Sequence, residues 1–309
     1  MLGVCIVTYN QERYIAEAIE SVLTQADCGH RVVAYIGNDC STDRTGKICH
    51  QYADKYPDKI KVFDNQKNLG LVGNTMNLLD AMRNDGCEFI AMLDGDDYWS
   101  NDHKLQKQIA YMDIHPEYGL VHTYVDLLCR DGIHCDTRGR VMEGDVFSVI
   151  ENYQIGNCSV VFRTELLNMI DFEEFQQQGL KSCDYSMYAI FASGTLFGFV
   201  PEHTAVWRRD IESVSGSANI ERQIAYYEND LAHWRYLAKL FPERWNYTEE
   251  AGAAHFHKRA FNVAFRAGDK KRALAEASLM CDNDKKTKCF KIFCAHSSIL
   301  MWLWNKMRV

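Results

Sequence analysis

The chain has 309 residues, of which 47% are hydrophobic and 12% aromatic, with only 4 prolines; that is enough apolar side chain for a large core and not the composition of a disordered protein. The length suits a catalytic domain of roughly 200 to 250 residues with an appendage. A formal net charge of -8 argues against nucleic acid as a partner, because phosphate backbones are bound by concentrated positive surface.

In chain order, short apolar runs alternate with amphipathic segments, the pattern of a doubly wound α/β unit with a mainly parallel sheet flanked by helices. The expected strands are Val4 to Thr8, Val32 to Gly37, Ile60 to Phe63, Phe89 to Leu93 and Gly119 to Val125. Helical spacing relates Ile15, Ala18, Ile19, Val22 and Leu23, then Met76, Leu79 and Met82, and then Leu105, Ile109 and Met112. Less regular sequence follows from 130 to 215, with expected strands Ser159 to Arg163, Leu196 to Phe199 and Ala205 to Arg208, and a helix beginning near Asp184. From about Asn219 the pattern is helical: Ile220, Ile224, Tyr227, Leu231, Trp234 and Ala238 form a seam, and a hairpin of helices turns at Gly268-Asp269. The resulting division is a catalytic domain over 1-217 and a helical C-terminal region over 218-309.

The first segment enters a strand without a charged leader, and no run of about 18 apolar residues occurs, so the expected setting is the cytoplasm. The 12 cysteines show no repeated Cys-x-x-Cys spacing and read as reduced, mostly buried thiols. His122 and His203 lack partners at metal-ligand spacing and read as structural. The basic, aromatic segment 285-309 fits either a helix docked on the catalytic domain or peripheral contact with the inner face of the cell membrane.

Ligands of doubly wound sheets bind beyond the carboxyl ends of the strands. The polar clusters lie there: Thr8-Tyr9-Asn10 after the first strand, Asn38-Asp39-Cys40-Ser41-Thr42-Asp43 after the second, and Asp94-Gly95-Asp96-Asp97 after the fourth. Three acidic side chains in one short loop are costly unless they are solvated, cap a helix or share a cation. With carboxylates and no clustered His or Cys, such a cation would be Mn2+ or Mg2+. Asp39 is placed either to accept from a uracil imide or to belong to a helix cap with Ser41 and Thr42.

Together these blocks, with Asn68-Leu69-Gly70 and the run Asp94-Gly95-Asp96-Asp97-Tyr98-Trp99 followed by Lys104-Leu105, resemble the ordered motifs of family 2 glycosyltransferases. The resemblance is tight over the first third of the chain and looser to about Ser215. It implies a GT-A fold, a nucleotide-sugar donor, usually UDP-linked, a divalent cation and inversion at the anomeric carbon. It places Thr8, Tyr9, Asn10, Asp39 and Asn68 at the nucleotide, and the acidic loop at ribose and metal, through either Asp94 and Asp96 or Asp96 and Asp97. It makes Asp184 the base that takes the acceptor proton, with Cys183 where related sequences carry an acidic residue or glycine. Arg208 or Arg209 would steady the diphosphate, and Asp210, with Ser213 and Ser215 beyond it, stands where related sequences often carry His.

The implied partners are a nucleotide-sugar donor and a carbohydrate or lipid-linked carbohydrate acceptor, with a homo-oligomer left open and surface polysaccharide or lipopolysaccharide assembly as the setting. Two other readings compete: a non-catalytic nucleotide-sugar-binding or assembly subunit, and a sugar-phosphate nucleotidyltransferase. The latter needs a glycine-rich basic loop after the first strand, and Thr8-Tyr9-Asn10-Gln11-Glu12 supplies none.

Overall fold

The computed structural model describes residues 1-135, 143-145, 147, 155-209, 219-244 and 248-280. The chain divides into two compact units, Met1–Arg209 and Asp210–Val309.

The first unit begins with strand β1 (Leu2–Thr8), helix α1 (Ile15–Leu23), β2 (Val32–Asn38), α2 (Thr45–Lys55), β3 (Ile60–Asp64), α3 (Gly70–Asn84) and β4 (Phe89–Asp94). These four strands are parallel, in the order β3-β2-β1-β4. Every residue of β1 is buried, as expected of a central parallel strand covered on both faces. Leu2, Val4 and Ile6 pack in one core with Ile15, Ala18 and Ile19 of α1.

The second half of the sheet is mixed. It contains β5 (Tyr98–Trp99), α4 (Lys104–Ile114), the β6 (Tyr118–Cys129) and β7 (Gly132–Cys135) hairpin, β8 (Val161–Arg163), α5 (Phe172–Gln177), α6 (Asp184–Ala192) and β9 (Leu196–Arg208). From β4 the sheet continues β8-β6-β9-β5, with β7 paired to β6. Three details differ from the sequence pattern. Ser159 lies in a 3-10 turn, Asn157–Ser159, and the strand starts only at Val161. The two strands expected at 196-199 and 205-208 are one strand, β9. Its register against β6 jumps from Thr123↔Val200 to Tyr124↔His203 to Val125↔Ala205, so Pro201, which lacks an N–H for the ladder, falls in a bulge. Finally, β5 is only two residues long, too short to show a period, and exists because Tyr98 and Trp99 pair with Val206 and Ala205.

The start of α3 is pinned to the sheet by buried amides. Asn74 donates from Nδ2 to the Gly37 carbonyl at 2.7 Å and accepts on Oδ1 from Asn65 Nδ2 at 2.9 Å. A Cβ at Gly37 would lie 2.4 Å from Asn74 Oδ1, so this close approach of helix and strand requires glycine.

In the second unit α7 (Ile220–Leu240), α8 (Glu249–Arg266) and α9 (Lys270–Leu279) are capped by Asn219, Thr248 and Asp269, whose side-chain oxygens accept backbone N–H groups of the first turn. Gly268, at φ +76, makes the turn between α8 and α9. Phe261, Ala264 and Phe265 pack there on Ala273 and Ala277. In α7 the buried face includes Asn229, His233, Tyr236 and Leu237 besides Ile224 and Leu231, so it is broader than the expected apolar seam. Among the described residues no helix is long and apolar enough to cross a membrane. Asp210, Ser213, Ser215 and the segment 285-309 lie outside the described residues.

Replacing Asn74 by Ala is expected to destabilise the protein by about 1–3 kcal/mol, because it removes the hydrogen bonds to the Gly37 carbonyl and from Asn65 at a buried position. Urea unfolding checks this, and a loss below the measurement error would show that the amide network contributes nothing.

Candidate active site

The carboxyl ends of β1, β2 and β4 converge, and the loops that follow β1 and β2 are tied to each other. Asn10 donates its N–H to Ser41 Oγ at 3.0 Å, and its Oδ1 accepts from the Thr42 N–H at 2.8 Å. Gln11 N–H donates to Thr45 Oγ1, Glu12 N–H to Asp43 Oδ2, and Arg44 N–H to Glu12 Oε2. Asn10 and Cys40 hold φ of 54° and 60°, left-handed conformations that non-glycine residues take up only under local constraint. Thr8 is buried and donates to Gln11 Oε1 at 2.8 Å, whereas Tyr9 stands 46% exposed beside it.

Asp39 is 3% exposed and faces helix α3. Its Oδ1 accepts from Asn65 Nδ2 and the Leu69 N–H, and its Oδ2 from the Gly70 N–H at 2.9 Å. A carboxylate thus sits on the positive N-terminus of α3. Asn68 is exposed; its Oδ1 accepts from the Gly70 N–H and its Nδ2 donates to the Asp39 carbonyl.

The acidic loop splits into an inward and an outward part. Asp97 is 3% exposed and accepts the Arg208 N–H at 2.9 Å. Burial, with the charges of Asp96 and Asp94, pushes its carboxyl well up. Asp94 and Asp96 are half-buried. Burial, Asp96 and Asp184 push the Asp94 carboxyl up to about 7, against the downward pull of a hydrogen bond from Asn157. Gly95 between them has no room for a side chain: a Cβ would lie 2.5 Å from Gln11 Oε1 and 2.8 Å from Thr8 Cβ.

Asp184 is the first residue of α6 and is half-buried. One helical turn later Tyr188 donates its hydroxyl to Asn157 Oδ1 at 2.7 Å, and Asn157 Nδ2 donates to both oxygens of Asp94 at 3.2 Å. The i, i+4 spacing puts Asp184 and Tyr188 on one face of α6, so this chain of bonds fixes Asp184 relative to Asp94. Neither Asn157 nor Tyr188 was singled out from the sequence. The helical spacing of Asp184 and Tyr188 was readable, but the partner in the turn before β8 was not. Cys183, just before Asp184, is buried, and burial followed by the Asp184 charge pushes its thiol up.

Behind the loop lies Lys104, fully buried, its Nζ 2.6 Å from Gln108 Oε1 and 4.5 Å from the Trp99 ring centroid. Gln108 donates to the Val121 and Ser159 carbonyls, and Trp99 Nε1 to the Cys158 carbonyl. Desolvation lowers the Lys104 ammonium to about 7. The Arg208 guanidinium pairs with Glu17 and lies 5.0 Å from the ring centroids of both Tyr14 and Tyr98. Its side chain thus clamps α1 to β5. Arg209 is exposed and lies over Trp207.

Residues 3-127 match the family model described as Glycosyl transferase family 2. Over these residues the chain carries a family 2 glycosyltransferase domain. An uncharacterized protein of Mycobacterium tuberculosis is 29% identical over 226 residues, 72% of this chain and 62% of that protein, so the match spans about three-fifths of this relative's length. The poly(ribitol-phosphate) beta-N-acetylglucosaminyltransferase TarS of Staphylococcus aureus is 33% identical over 113 residues, 37% of this chain and 19% of that protein. The structure of TarS residues 1-349 in complex with UDP superposes with a TM-score of 0.53 at 18% identity, covering 99% of this chain and 91% of that one. The mannosyltransferase PcManGT of Pyrobaculum calidifontis, in complex with GDP-Man and Mn2+, superposes with a TM-score of 0.58 at 16% identity, covering 98% and 86%. These two neighbours establish that the family 2 domain has the GT-A fold.

Gly95→Ala is expected to displace the acidic loop or Thr8 and to cost about 1–3 kcal/mol of stability, the usual penalty of overpacking; unchanged unfolding would show that the loop has slack. For Lys104, burial holds the folded-state value below the ordinary one, so the unfolded chain binds more protons between about 7 and the ordinary lysine value. Its contribution to stability therefore rises with pH across that window and is flat below it. Subtracting the stability of Lys104→Met from that of the parent at about pH 6, 8 and 9.5 is expected to give an increasing series. A flat series would mean that Lys104 stays charged when folded.

Proposed function

We propose that this family 2 domain is an inverting glycosyltransferase that moves a sugar from a nucleotide diphosphate, UDP-linked, to an acceptor hydroxyl. The observation that carries the reading is the convergence of Asp184 with Asp94 and Asp96 at the carboxyl edge of the sheet, where Asp94 is pushed up by both neighbours. Carboxylates crowded in this way are relieved by a cation.

The donor set fits Mg2+ or Mn2+. Asp94 and Asp96 offer hard oxygens at a half-exposed edge, and an ion of this kind uses one or two carboxylates with phosphate oxygens and water. Asp97 does not fit, since its carboxylate is turned inward to the Arg208 N–H. When bound, the ion would supply Lewis-acid neutralisation of the leaving diphosphate. The Mn2+ in the PcManGT complex supports this choice, and the UDP in the TarS complex supports the donor class.

The remaining steps use the chain's own residues. Tyr9, exposed at the end of β1, gives a flat ring for the nucleobase, with Thr8, Asn10 and Asn68 around it. Asp39 acts there mainly by fixing the Asn68-Leu69-Gly70 turn. The bond between the anomeric carbon and the phosphate oxygen breaks, its electron pair leaving with the diphosphate. The acceptor oxygen forms the new bond from the opposite face, and its proton passes to the Asp184 carboxylate. Arg209, exposed beyond β9, is assigned to pair with phosphate; the Arg208 guanidinium pairs with Glu17 and lies over two tyrosine rings.

The acceptor is a carbohydrate or lipid-linked carbohydrate, in surface polysaccharide or lipopolysaccharide assembly on the cytoplasmic side of the membrane. TarS, named for transfer to a polymer, supports that class.

Asp184→Asn keeps the side-chain shape and removes the base. Turnover is expected to fall by about 10²–10⁴-fold, while nucleotide-sugar binding with Mn2+, read by thermal shift, is retained. Turnover within about tenfold of the parent would exclude Asp184 as the base.

A further inference from the structure

A second cluster of ligating side chains, none of them from the acidic loop, lies on the mixed half of the sheet. Asp126 of β6, Cys135 of β7 and His203 of β9 bring one carboxylate oxygen, one thiol and one ring nitrogen within 4.8 Å of one another. The backbone explains the convergence. Asp126 and Cys135 are directly opposite in the antiparallel β6–β7 pair, so their side chains leave the same face. On the other flank of β6, His203 is in register with Tyr124, two residues before Asp126 and therefore also on that face.

His203 reaches this place only because β9 is irregular. The register shifts on both sides of Tyr124↔His203 set the side chain apart from the regular alternation of the strand. Its ring stacks on Tyr124 with centroids 5.0 Å apart and an interplanar angle of 25°. Its Nδ1 is 2.6 Å from Asp126 Oδ1, and the side chains are 33% and 15% exposed. Two of the three ligands are thus held by packing before any ion arrives, and the thiol stands exposed beside them.

We propose that Asp126, Cys135 and His203 form a binding site for a zinc-type transition metal ion. A sulfur, nitrogen and oxygen set selects Zn2+ or Co2+ over Mg2+ and Mn2+, which prefer oxygen alone. Tetrahedral zinc bonds put such ligand atoms roughly 3.3 to 3.6 Å apart, a small adjustment from the arrangement found. On binding, the Cys135 thiol gives up its proton to solvent, and the proton between His203 Nδ1 and Asp126 Oδ1 leaves that contact, so that a thiolate, a neutral imidazole and a carboxylate face the ion. Three protein ligands leave one position for water. The ion joins β7, β6 and β9, the last of which presents the Arg208 N–H to Asp97.

A neighbouring group, Cys129, Asp131 and His134, also brings its ligand atoms within 4.8 Å, but around the hairpin turn, with Asp131 and His134 both exposed and no third strand. It serves as the internal control. The test is titration of the metal-free protein with Co2+, whose thiolate-to-metal charge-transfer band in the near ultraviolet reports sulfur ligation, followed by displacement with Zn2+. The parent is expected to develop the band at one equivalent. Cys135→Ser is expected to abolish it, and His203→Gln to weaken binding by at least about tenfold. Cys129→Ser and Asp96→Ala are expected to leave it unchanged. A parent without the band, a band that survives in Cys135→Ser, or one lost in Cys129→Ser but kept in Cys135→Ser would each overturn the proposal.

Discussion

Carboxylates taken out of water beside one another repel, and the first unit is arranged around that cost. Asp94 and Asp97 are buried or half-buried on one short loop, with Asp96 between them in sequence and Asp184 arriving from a helix ninety residues away in the chain. Desolvation and like charge both raise these groups, and only hydrogen bonds or a cation lower them again. Asp97 receives a backbone N–H from β9 and Asp94 receives the Asn157 amide. Asp94, Asp96 and Asp184 are all half-buried, and only Asp97 of the four is fully inside.

Precision at that edge comes from contacts that have no part in the chemistry. Thr8 and Gln11 press on Gly95, so the end of β1 sets the position of the acidic loop. Tyr188 and Asn157 connect α6 to Asp94, so the distance between Asp184 and the loop is set by hydrogen bonds and not by a free helix end. Lys104 and Gln108 fill the space behind, tying α4 to β6 and to the turn before β8. Asp39 anchors the start of α3, and Arg208 joins α1 to β5 through its contacts with Glu17 and Tyr98.

The parallel half of the sheet was legible in the sequence because β1, β2 and β4 are continuous apolar runs ending in polar clusters, and that pattern also located the three loops that meet. The mixed half was harder to read. A two-residue strand such as β5 has no periodicity, and the bulge at Pro201 made β9 look like two strands. Which member of Asp94, Asp96 and Asp97 points inward depends on a backbone N–H from residue 208, a long-range fact that no local spacing carries. The same limit applies to Asn157 and to the meeting of Asp126, Cys135 and His203, whose ligand spacing exists only across three strands.

In the proposed mechanism the outward carboxylates hold a divalent ion against a nucleoside diphosphate. Anomalous diffraction from crystals soaked in Mn2+ and UDP tests this directly. A manganese peak bonded to Asp94 or Asp96 and to diphosphate oxygens is expected, with Asp97 still turned toward the Arg208 N–H. A manganese-free acidic loop with the nucleotide bound elsewhere, or an ion held by Asp97, would contradict it.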